Sequence, residues 1–317
     1  MTATCATLKP DPLISVVIPA YNVAPFVEEC LRSLMAQTLR DFEVILIDDA
    51  STDDTWAKVT AFDFGDIPAI LRQQKDNKGQ GAARNVGISL ARGRYLCFVD
   101  SDDCLYPQAL EMLADACRRE RLDVCRCGWR EGTEYHPVRY DGIGKVKVYD
   151  YRSAVRKGLY QKLQINSPWG MLIEKRLVVE AGGFREGIIY EDLDAFYRFY
   201  EHAERIGYLK RELYFYRTNL RSTINTWGPR RFDVLNVTDR MVEFFAEKYP
   251  ELLKAAEDRR FSAHYNMVLL MRKHRVQDIV MKSRCRDVVL GGRLRALLDP
   301  RVRLKNKIGA LLAPLLV

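Results

Sequence analysis

The sequence predicts an α/β fold in which a mostly parallel sheet carries helices on both faces and a helical extension follows at the C-terminus. Short apolar runs rich in β-branched residues alternate with segments of helical period from residue 13 to about residue 120. Two of these runs end in clustered aspartates, at Asp48-Asp49 and at Asp100. From Pro229 onward the apolar spacing is helical. We therefore predict an α/β domain over residues 11–226 and a basic helical region over residues 227–317.

The first four predicted strands are short apolar runs separated by helices. They span residues 13–18, 42–47, 69–73 and 95–100. Between the first two, Val27, Cys30 and Leu31 recur at helical spacing, and Pro25 suits the first turn of that helix. The next helices are predicted to begin near Ser51, in the glycine-bearing loop 77–85, and at Pro107.

After Leu122 the regular alternation of strand and helix is lost. An aromatic-rich helix is predicted to begin at Glu191. Turns are predicted at 167–170 and 181–184, and short strands at 124–129, 145–149 and 214–217.

The acidic end of the fourth strand is the stretch most indicative of chemistry. Asp100, Asp102 and Asp103 follow an apolar run, and residues two apart on an extended segment point the same way. Carboxylates held together repel one another, and a hard divalent cation relieves that repulsion. The pattern therefore favours a divalent metal beside a phosphate-bearing ligand, and a simple polar turn is the alternative.

The cysteines and the N-terminus bear on the compartment. Cys125 and Cys127 have no second pair or suitably spaced histidine to complete a zinc site, so we expect buried free thiols in a reducing cytosol. The first 12 residues lack the pattern of a signal peptide, and no apolar run is long enough to span a membrane. We expect a cytoplasmic protein.

The positive charge is concentrated at the C-terminus. Residues 272–317 hold a surplus of nine Lys and Arg over Asp and Glu, whereas the whole chain is +8. Over residues 293–317 leucines interleave with basic residues, as in helices that lie peripherally on an anionic membrane, here the inner face of the cell membrane. The alternative is a helix packed on the rest of the protein. Aromatic residues do not interleave with the basic ones, so we expect no nucleic-acid partner.

Five short motifs in the chain resemble those of family-2 glycosyltransferases, in that family's order and approximate spacing. The resemblance covers about residues 13–224. It implies the GT-A-type Rossmann-like fold and inverting transfer of a sugar from a nucleotide-sugar, most often a UDP-sugar. The motifs are Val17-Ile-Pro-Ala-Tyr-Asn22, Ile47-Asp-Asp-Ala-Ser-Thr-Asp53, Gly81-Ala-Ala-Arg-Asn85, Val99-Asp-Ser-Asp-Asp103 and Tyr190-Glu-Asp192.

The resemblance implies a donor site over the carboxyl ends of the first strands. Asp49 would accept a hydrogen bond from the base, although Asp48-Asp49 would also suit a helix-capping turn. Arg84 would face the diphosphate with its planar guanidinium. The residues implied in nucleotide-sugar binding are Pro19, Ala20, Tyr21, Asn22, Asp48, Asp49, Arg84, Asp100, Ser101, Arg217 and Arg221.

The resemblance also implies a metal and a general base. Asp102 is the first choice as ligand of Mg²⁺ or Mn²⁺, with Asp100 beside it. Asp192 would remove the proton of the acceptor hydroxyl as it attacks the anomeric carbon, and Glu191 is the fallback. The alternative for Asp192 is a charge that stabilises the start of a helix.

The acceptor is expected to be a saccharide or a lipid-linked saccharide in surface polysaccharide or glycolipid synthesis. Trp169 lies where family members build the acceptor side, and a core tryptophan is the alternative. Arg217 and Arg221 lie in a segment that resembles the loop closing over the diphosphate, although a plain surface loop remains open there.

Two other functions compete with the transferase. A nucleotidyltransferase on a similar sheet would usually carry a glycine-rich loop after the first strand, where this chain has Pro19-Ala-Tyr-Asn22. A non-catalytic binding protein on a decayed transferase fold is the second, and the intact Asp100, Asp102 and Asp192 argue against it.

Overall fold

The computed structural model describes residues 11–218 and 227–316, with only the backbone described at residue 316. Within these residues the chain forms one mixed sheet and a set of α-helices. The strands are β1 (Ile14–Ala20), β2 (Phe42–Asp48), β3 (Ala69–Gln73), β4 (Tyr95–Phe98), β5 (Cys104–Leu105), β6 (Val124–Gly132), β7 (Val146–Tyr149), β8 (Met171–Glu174) and β9 (Ile206–Arg217). The helices are α1 (Val27–Met35), α2 (Thr55–Ala61), α3 (Gln80–Leu90), α4 (Ala109–Glu120), α5 (Tyr151–Leu159), α6 (Lys175–Glu180), α7 (Glu191–Phe199), α8 (Asp233–Lys248), α9 (Leu253–Lys273), α10 (Ile279–Leu298) and α11 (Leu304–Leu316).

The strands lie in the order β3-β2-β1-β4-β8-β6-β9-β5, and β7 pairs with β9. β1 pairs in parallel with β2 and β4, and β2 pairs in parallel with β3. β8 is antiparallel to both β4 and β6, and β5 is antiparallel to β9. The predicted α/β class with its C-terminal helices is confirmed, and the sheet is parallel in its first half and mixed beyond β4.

The central strand is covered on both faces. All seven residues of β1 are buried, as expected for a strand between two helical layers. Ile14, Val16 and Ile18 join the core that contains the apolar face of α1. Val17 points the other way, against α3, where a Cβ added to Gly87 would lie 2.4 Å from its Cγ1. Glycine therefore lets α3 lie close against the strand that leads into the polar turns.

The described chain divides into two compact units. The first comprises residues 11–148, 169–183 and 207–218, and it contains the sheet core. The second comprises 149–168, 184–206 and 227–316, so α5 and α7 belong with the C-terminal helices. The boundary predicted at residue 226 falls outside the described residues and stays a prediction.

Two expectations on cysteines and membranes meet the structure here. Seven cysteines are described as buried free thiols, as predicted. Among the described residues no helix is both long enough and apolar enough to cross a bilayer.

Candidate active site

The carboxyl ends of β1, β2 and β4 lie side by side. The register pairs Ala20 of β1 with Asp48 of β2, and β4 runs parallel on the other side of β1. Pro19 and Ala20 are buried, whereas the Tyr21 side chain is 45% exposed. The first two predicted binding segments therefore meet at one edge of the sheet, as open α/β sheets arrange their ligand sites.

Asn22 organises the turn that follows β2. Its backbone is left-handed, with φ 51°, a conformation that asparagine tolerates. The Asn22 side-chain oxygen accepts hydrogen bonds from the backbone N–H groups of Thr52 at 2.8 Å and Asp53 at 3.3 Å. The two predicted motifs are thus tied together by this side chain.

Asp49 fastens the loop that leads into α3. Its Oδ1 accepts hydrogen bonds from the Gln74 side chain at 2.6 Å and from the Lys78 backbone at 2.9 Å. Its Oδ2 accepts one from the Gly79 backbone at 2.7 Å, where φ is +88° and favours glycine. These hydrogen bonds to the buried Asp49 carboxylate hold the loop in place. The predicted contact of Asp49 with a base remains a prediction.

Asp48 is fully buried beside it. Its Oδ2 accepts hydrogen bonds from the Ser51 backbone and the Gln73 side chain, both at 3.0 Å. Its Oδ1 has no hydrogen-bond partner among the described residues, which is costly for a buried acceptor. The helix-capping alternative does not describe Asp48, because the Ser51 N–H group lies before α2, which begins at Thr55; Asp48 holds the turn after β2 instead.

Arg84 reaches from α3 to the acidic turn after β4. Its Nη2 donates to Asp100 Oδ1 at 2.8 Å and to the Gln80 side-chain oxygen at 3.3 Å. The Arg84 side chain is buried and that of Asp100 nearly so, which strengthens their attraction relative to a surface pair. The structure therefore brings two predicted site residues into direct contact.

Tyr214 of β9 locks the same turn, and no sequence pattern indicated it. Its hydroxyl donates to Asp103 Oδ2 at 2.7 Å and accepts from the Asp100 backbone N–H at 3.1 Å. The Arg217 backbone N–H donates to Asp103 Oδ1 at 2.7 Å. Burial, followed by the neighbouring carboxylates of Asp100 and Asp102, raises the pKa of Asp103 well above its ordinary value. Asp103 is thus a structural anchor inside the acidic motif.

The Arg217 guanidinium is buried and supports the turn from the side. Its Nε donates to the Asp102 backbone carbonyl at 2.8 Å and its Nη1 to the Thr133 carbonyl at 2.7 Å, and it forms an ion pair with Glu29. Arg217 is the last residue of β9. Its predicted place over a diphosphate remains a prediction. Arg221 lies outside the described residues.

The acidic turn has the chemistry of a divalent-cation site. Ser101 is buried within it, and the three carboxylates that flank it are oxygen donors of the kind that Mg²⁺ and Mn²⁺ prefer. Burial raises the pKa of Tyr216 to about 12, and the carboxylates of the turn add to that rise. In the described ranges no three His, Cys, Asp or Glu side chains are arranged to hold a metal by themselves. The residues fit a cation held by one or two carboxylates and completed by phosphate oxygens and water.

Trp169 is a core residue in this structure. Its side chain is 9% exposed and stacks on Tyr214 with ring centroids 4.6 Å apart. Trp129 meets it edge-on at 5.7 Å. The core alternative left open by the sequence therefore describes its packing, and a contact with an acceptor remains a prediction.

The candidate base lies in the second unit, at the start of α7. Tyr190 precedes the helix with a left-handed φ of 74°, and Asp192 Oδ1 accepts from the Leu193 backbone N–H at 2.7 Å. Glu191 is buried and Asp192 is half-buried. Burial, with Arg303 next, lowers the pKa of Arg259 to about 10, and the Asp192 carboxylate opposes that fall. Asp192 therefore has a cationic neighbour from α9 that the sequence did not indicate.

Asp194 was also missed by the sequence analysis. It is fully buried and forms ion pairs with Arg185 at 3.4 Å, Arg198 at 3.0 Å and Arg240 at 3.1 Å. These pairs link α7 to α8 and to the segment before α7. A buried carboxylate with several cationic partners is costly to leave unpaired, so this cluster fixes the helix that carries Asp192.

Comparison with known proteins gives the family. Residues 15–180 match the family model described as Glycosyl transferase family 2. Glycosyltransferase GlyG of Streptococcus pneumoniae serotype 4 is 31% identical over 259 residues, which cover 78% of this chain and 82% of that protein.

Solved structures give the same fold. A 1–349 fragment of S. aureus TarS in complex with UDP-GlcNAc has a TM-score of 0.72 at 20% identity, covering 96% of this chain and 86% of that one. The mannosyltransferase PcManGT from Pyrobaculum calidifontis, in complex with GDP-Man and Mn²⁺, has a TM-score of 0.52 at 17% identity, covering 96% and 87%. The predicted family and fold are therefore confirmed: the chain belongs to glycosyl transferase family 2 and is a glycosyltransferase.

Proposed function

We propose that the protein is a metal-dependent, inverting transferase that moves a sugar from a nucleotide-sugar, with a UDP-sugar as the first candidate, to a hydroxyl of a saccharide or lipid-linked acceptor. The observation that carries this proposal is the acidic turn at the carboxyl edge of the sheet. Arg84 of α3 and two residues of β9, Tyr214 and Arg217, hold this turn from two different elements. Such convergent support is expected where a ligand must meet charges at fixed positions.

The donor would lie across the ends of β1 and β2. The exposed Tyr21 ring offers a face on which a base can stack. Asp48 and Asp49 fix the neighbouring turn and loop, and Arg84 supplies a guanidinium suited to phosphate oxygens. TarS, which shares the fold, was solved with UDP-GlcNAc, and this supports a UDP-sugar as the first donor class to test.

Asp102, with Asp100, would hold Mg²⁺ or Mn²⁺ against the diphosphate. Bound there, the metal supplies charge neutralisation to the departing nucleoside diphosphate. Asp103 holds the turn that carries these two carboxylates, through Tyr214 and the Arg217 backbone. The Mn²⁺ in the PcManGT complex supports the choice of metals.

Asp192 would act as the general base. The acceptor hydroxyl gives its proton to the Asp192 carboxylate while its oxygen forms the new bond to the anomeric carbon. The bond from that carbon to the phosphate oxygen breaks in the same step, and the nucleoside diphosphate leaves with the electron pair. A single displacement inverts the anomeric carbon and requires no nucleophile from the protein. Glu191 is the less suitable base because it is buried.

The experiment is release of nucleoside diphosphate from a panel of nucleotide-sugars with Mn²⁺, with Mg²⁺ or with EDTA. We expect slow release from one donor, abolished by EDTA and by Asp102→Ala. Asp192→Asn should lose turnover and retain donor binding by calorimetry, because only the proton acceptor is removed. Asp66→Asn, an exposed acidic residue away from these turns, is the control that should behave as wild type. The proposal would be refuted by a rate of nucleoside diphosphate release that is the same for every nucleotide-sugar in the panel, or by full activity of Asp102→Ala.

A further inference from the structure

Exposed large hydrophobic side chains are concentrated in the last two described helices. Thirteen such side chains are exposed among the described residues, and nine of them lie between Ile279 and Leu315. An isolated exposed leucine is ordinary, but a concentration of them marks an interaction surface.

The last helix, α11, buries its small residues and exposes its large apolar ones, whereas an ordinary surface helix buries its large apolar residues. The residues of α11 that face the protein are small: Gly309, Ala310 and Ala313 are buried. A Cβ added to Gly309 would lie 2.7 Å from the Tyr265 ring of α9, so α11 lies very close to α9. The buried side chain of Asn306 donates to Asp258 of α9 at 3.2 Å.

The large side chains of α11 point outward instead. Leu304, Ile308, Leu311 and Leu315 follow one another at three- and four-residue spacing along one face, and all are exposed. Leu304 is 73% exposed and Leu315 80% exposed. A helix that only needed to cover α9 would carry polar residues at these positions.

The preceding helix, α10, adds a second exposed stripe. Leu294 and Leu298 lie four residues apart near its C-terminus, and Leu298 is 80% exposed. α10 packs on both α9 and α11, and only the short segment 299–303 separates α10 from α11. We name these exposed side chains the apolar C-terminal face. It consists of Leu294, Leu298, Leu304, Ile308, Leu311 and Leu315.

Basic residues alternate in the sequence with the residues of the apolar C-terminal face. Arg286, Arg301 and Lys305 are exposed on the same two helices and their link, and α11 contains no acidic residue. Residues 272–317 hold 12 Lys and Arg against 3 Asp and Glu. Some of these charges are compensated, for example Arg301 by Asp299 at 2.8 Å, but the surplus remains large.

The positive charge decides between two candidate partners of this face, a second copy of the chain and an anionic membrane. A second copy of the chain would bring two equally basic surfaces together, which like-charge repulsion opposes. A bilayer with anionic headgroups attracts the Lys and Arg side chains, while the leucines enter the boundary of the acyl chains. We propose that the apolar C-terminal face docks the enzyme on an anionic lipid membrane, as a peripheral attachment through α10 and α11. The attachment is independent of the proposed reaction, because it needs neither donor nor acceptor.

Flotation of the full chain with lipid vesicles tests the proposal. Vesicles of phosphatidylcholine alone are compared with vesicles that also contain phosphatidylglycerol, at low salt and at roughly 0.5 M salt, where charges are screened within a few ångströms. We expect the wild type to float with the anionic vesicles at low salt and to lose most of that binding in the neutral vesicles or at high salt. Failure to bind the anionic vesicles at low salt would overturn the proposal.

A charge-neutral variant separates the apolar contribution from the basic one. It combines Leu298→Gln, Leu304→Gln, Leu311→Gln and Leu315→Gln, all at exposed positions. The fold should therefore be unchanged, as checked by circular dichroism and thermal unfolding. Each leucine that inserts contributes on the order of tenfold in partitioning, so we expect flotation to fall by at least that factor. Val179→Gln, at an exposed position on α6 in the first unit, is the matched control that should float as wild type.

A second variant tests the charges. Arg286→Gln with Lys305→Gln removes two exposed cations, and we expect about fivefold weaker binding to anionic vesicles for each charge that reaches the surface.

Equal flotation of the wild type and the four-leucine variant would overturn the proposal. So would a wild-type dimer in analytical ultracentrifugation that the four-leucine variant converts to a monomer while neither protein floats, because the face would then join two copies.

Discussion

Tyr214→Phe gives the sharpest test of how the acidic turn is held. The substitution removes one hydroxyl and keeps the ring that stacks on Trp169. The hydroxyl donates to buried Asp103 at 2.7 Å and accepts from the Asp100 backbone at 3.1 Å, so both groups lose a partner inside the protein. A buried polar group left unsatisfied costs about 1–3 kcal/mol, and more for a charged one. We expect the free energy of unfolding to fall by about 2–3 kcal/mol.

The assay is urea unfolding followed by tryptophan fluorescence, which reports mainly on the first unit. Trp56, Trp129 and Trp169 lie in that unit, and only Trp227 lies in the second. Tyr216→Phe is the matched control, because Tyr216 is on the same strand and packs on the same tryptophan at 5.4 Å. It should change the free energy of unfolding by less than about 0.5 kcal/mol, because the substitution removes only the hydroxyl of a half-buried residue and keeps its ring.

A functional readout separates turn geometry from general destabilisation. If the turn loses about 1.4 kcal/mol of positioning for the metal, half-maximal activation in the transferase assay should require about tenfold more Mn²⁺. The Tyr216→Phe protein should be activated at the wild-type Mn²⁺ concentration. Indistinguishable unfolding and indistinguishable Mn²⁺ activation of the two variants would refute the argument that Tyr214 holds the turn.

Three further predictions concern two helix glycines, the buried His264 and Arg84. Gly87→Ala should lower the free energy of unfolding by about 1–3 kcal/mol because its Cβ would meet Val17 at 2.4 Å, whereas Gly291→Ala, which has open space within α10, should raise it by about 0.5–1 kcal/mol; urea midpoints decide both. Burial lowers the pKa of His264 from 6.5 to about 4, so the folded protein keeps the imidazole neutral. The contribution of His264 to stability is complete above pH 6.5 and falls by up to about 3 kcal/mol as the pH drops to 4. His264→Leu should remove that dependence when unfolding is measured against pH. Arg84→Lys keeps the charge and loses the planar fork, so the donor KM should rise by about tenfold in the release assay, and an unchanged KM would place Arg84 away from the diphosphate.

The parts of the fold that could be predicted from sequence are those fixed by local pattern. β1 and β2 were found within one or two residues because strands buried on both faces are continuous apolar runs. β3, whose residues are exposed or half-buried, was found from a shorter apolar run. β5 and β8 were missed, since strands of two and four residues that pair antiparallel with distant strands carry little local signal. The start of β9 was also missed, because charged residues interrupt its apolar ones until the aromatic run Tyr214-Phe215-Tyr216 near its end.

The candidate site shows the same division between local and distant information. The acidic turn was evident because its carboxylates are adjacent in the chain. Its supports were not evident, since Tyr214 and Arg217 are more than 100 positions away from the aspartates that they contact. The three arginines around Asp194 lie on several segments, and arginine on a helix surface is too common to single out.

The acidic turn distributes three adjacent carboxylates among different surroundings, and this explains how they coexist. Asp103 is the most buried, its pKa is raised, and it is held by the protein through Tyr214 and the Arg217 backbone. Asp100 is compensated by the Arg84 guanidinium. A diphosphate that drew Arg84 toward itself would weaken that compensation and increase the local negative charge, which a divalent cation at Asp100 and Asp102 would restore. Donor and metal should therefore bind with positive coupling, each raising the affinity for the other by the same factor.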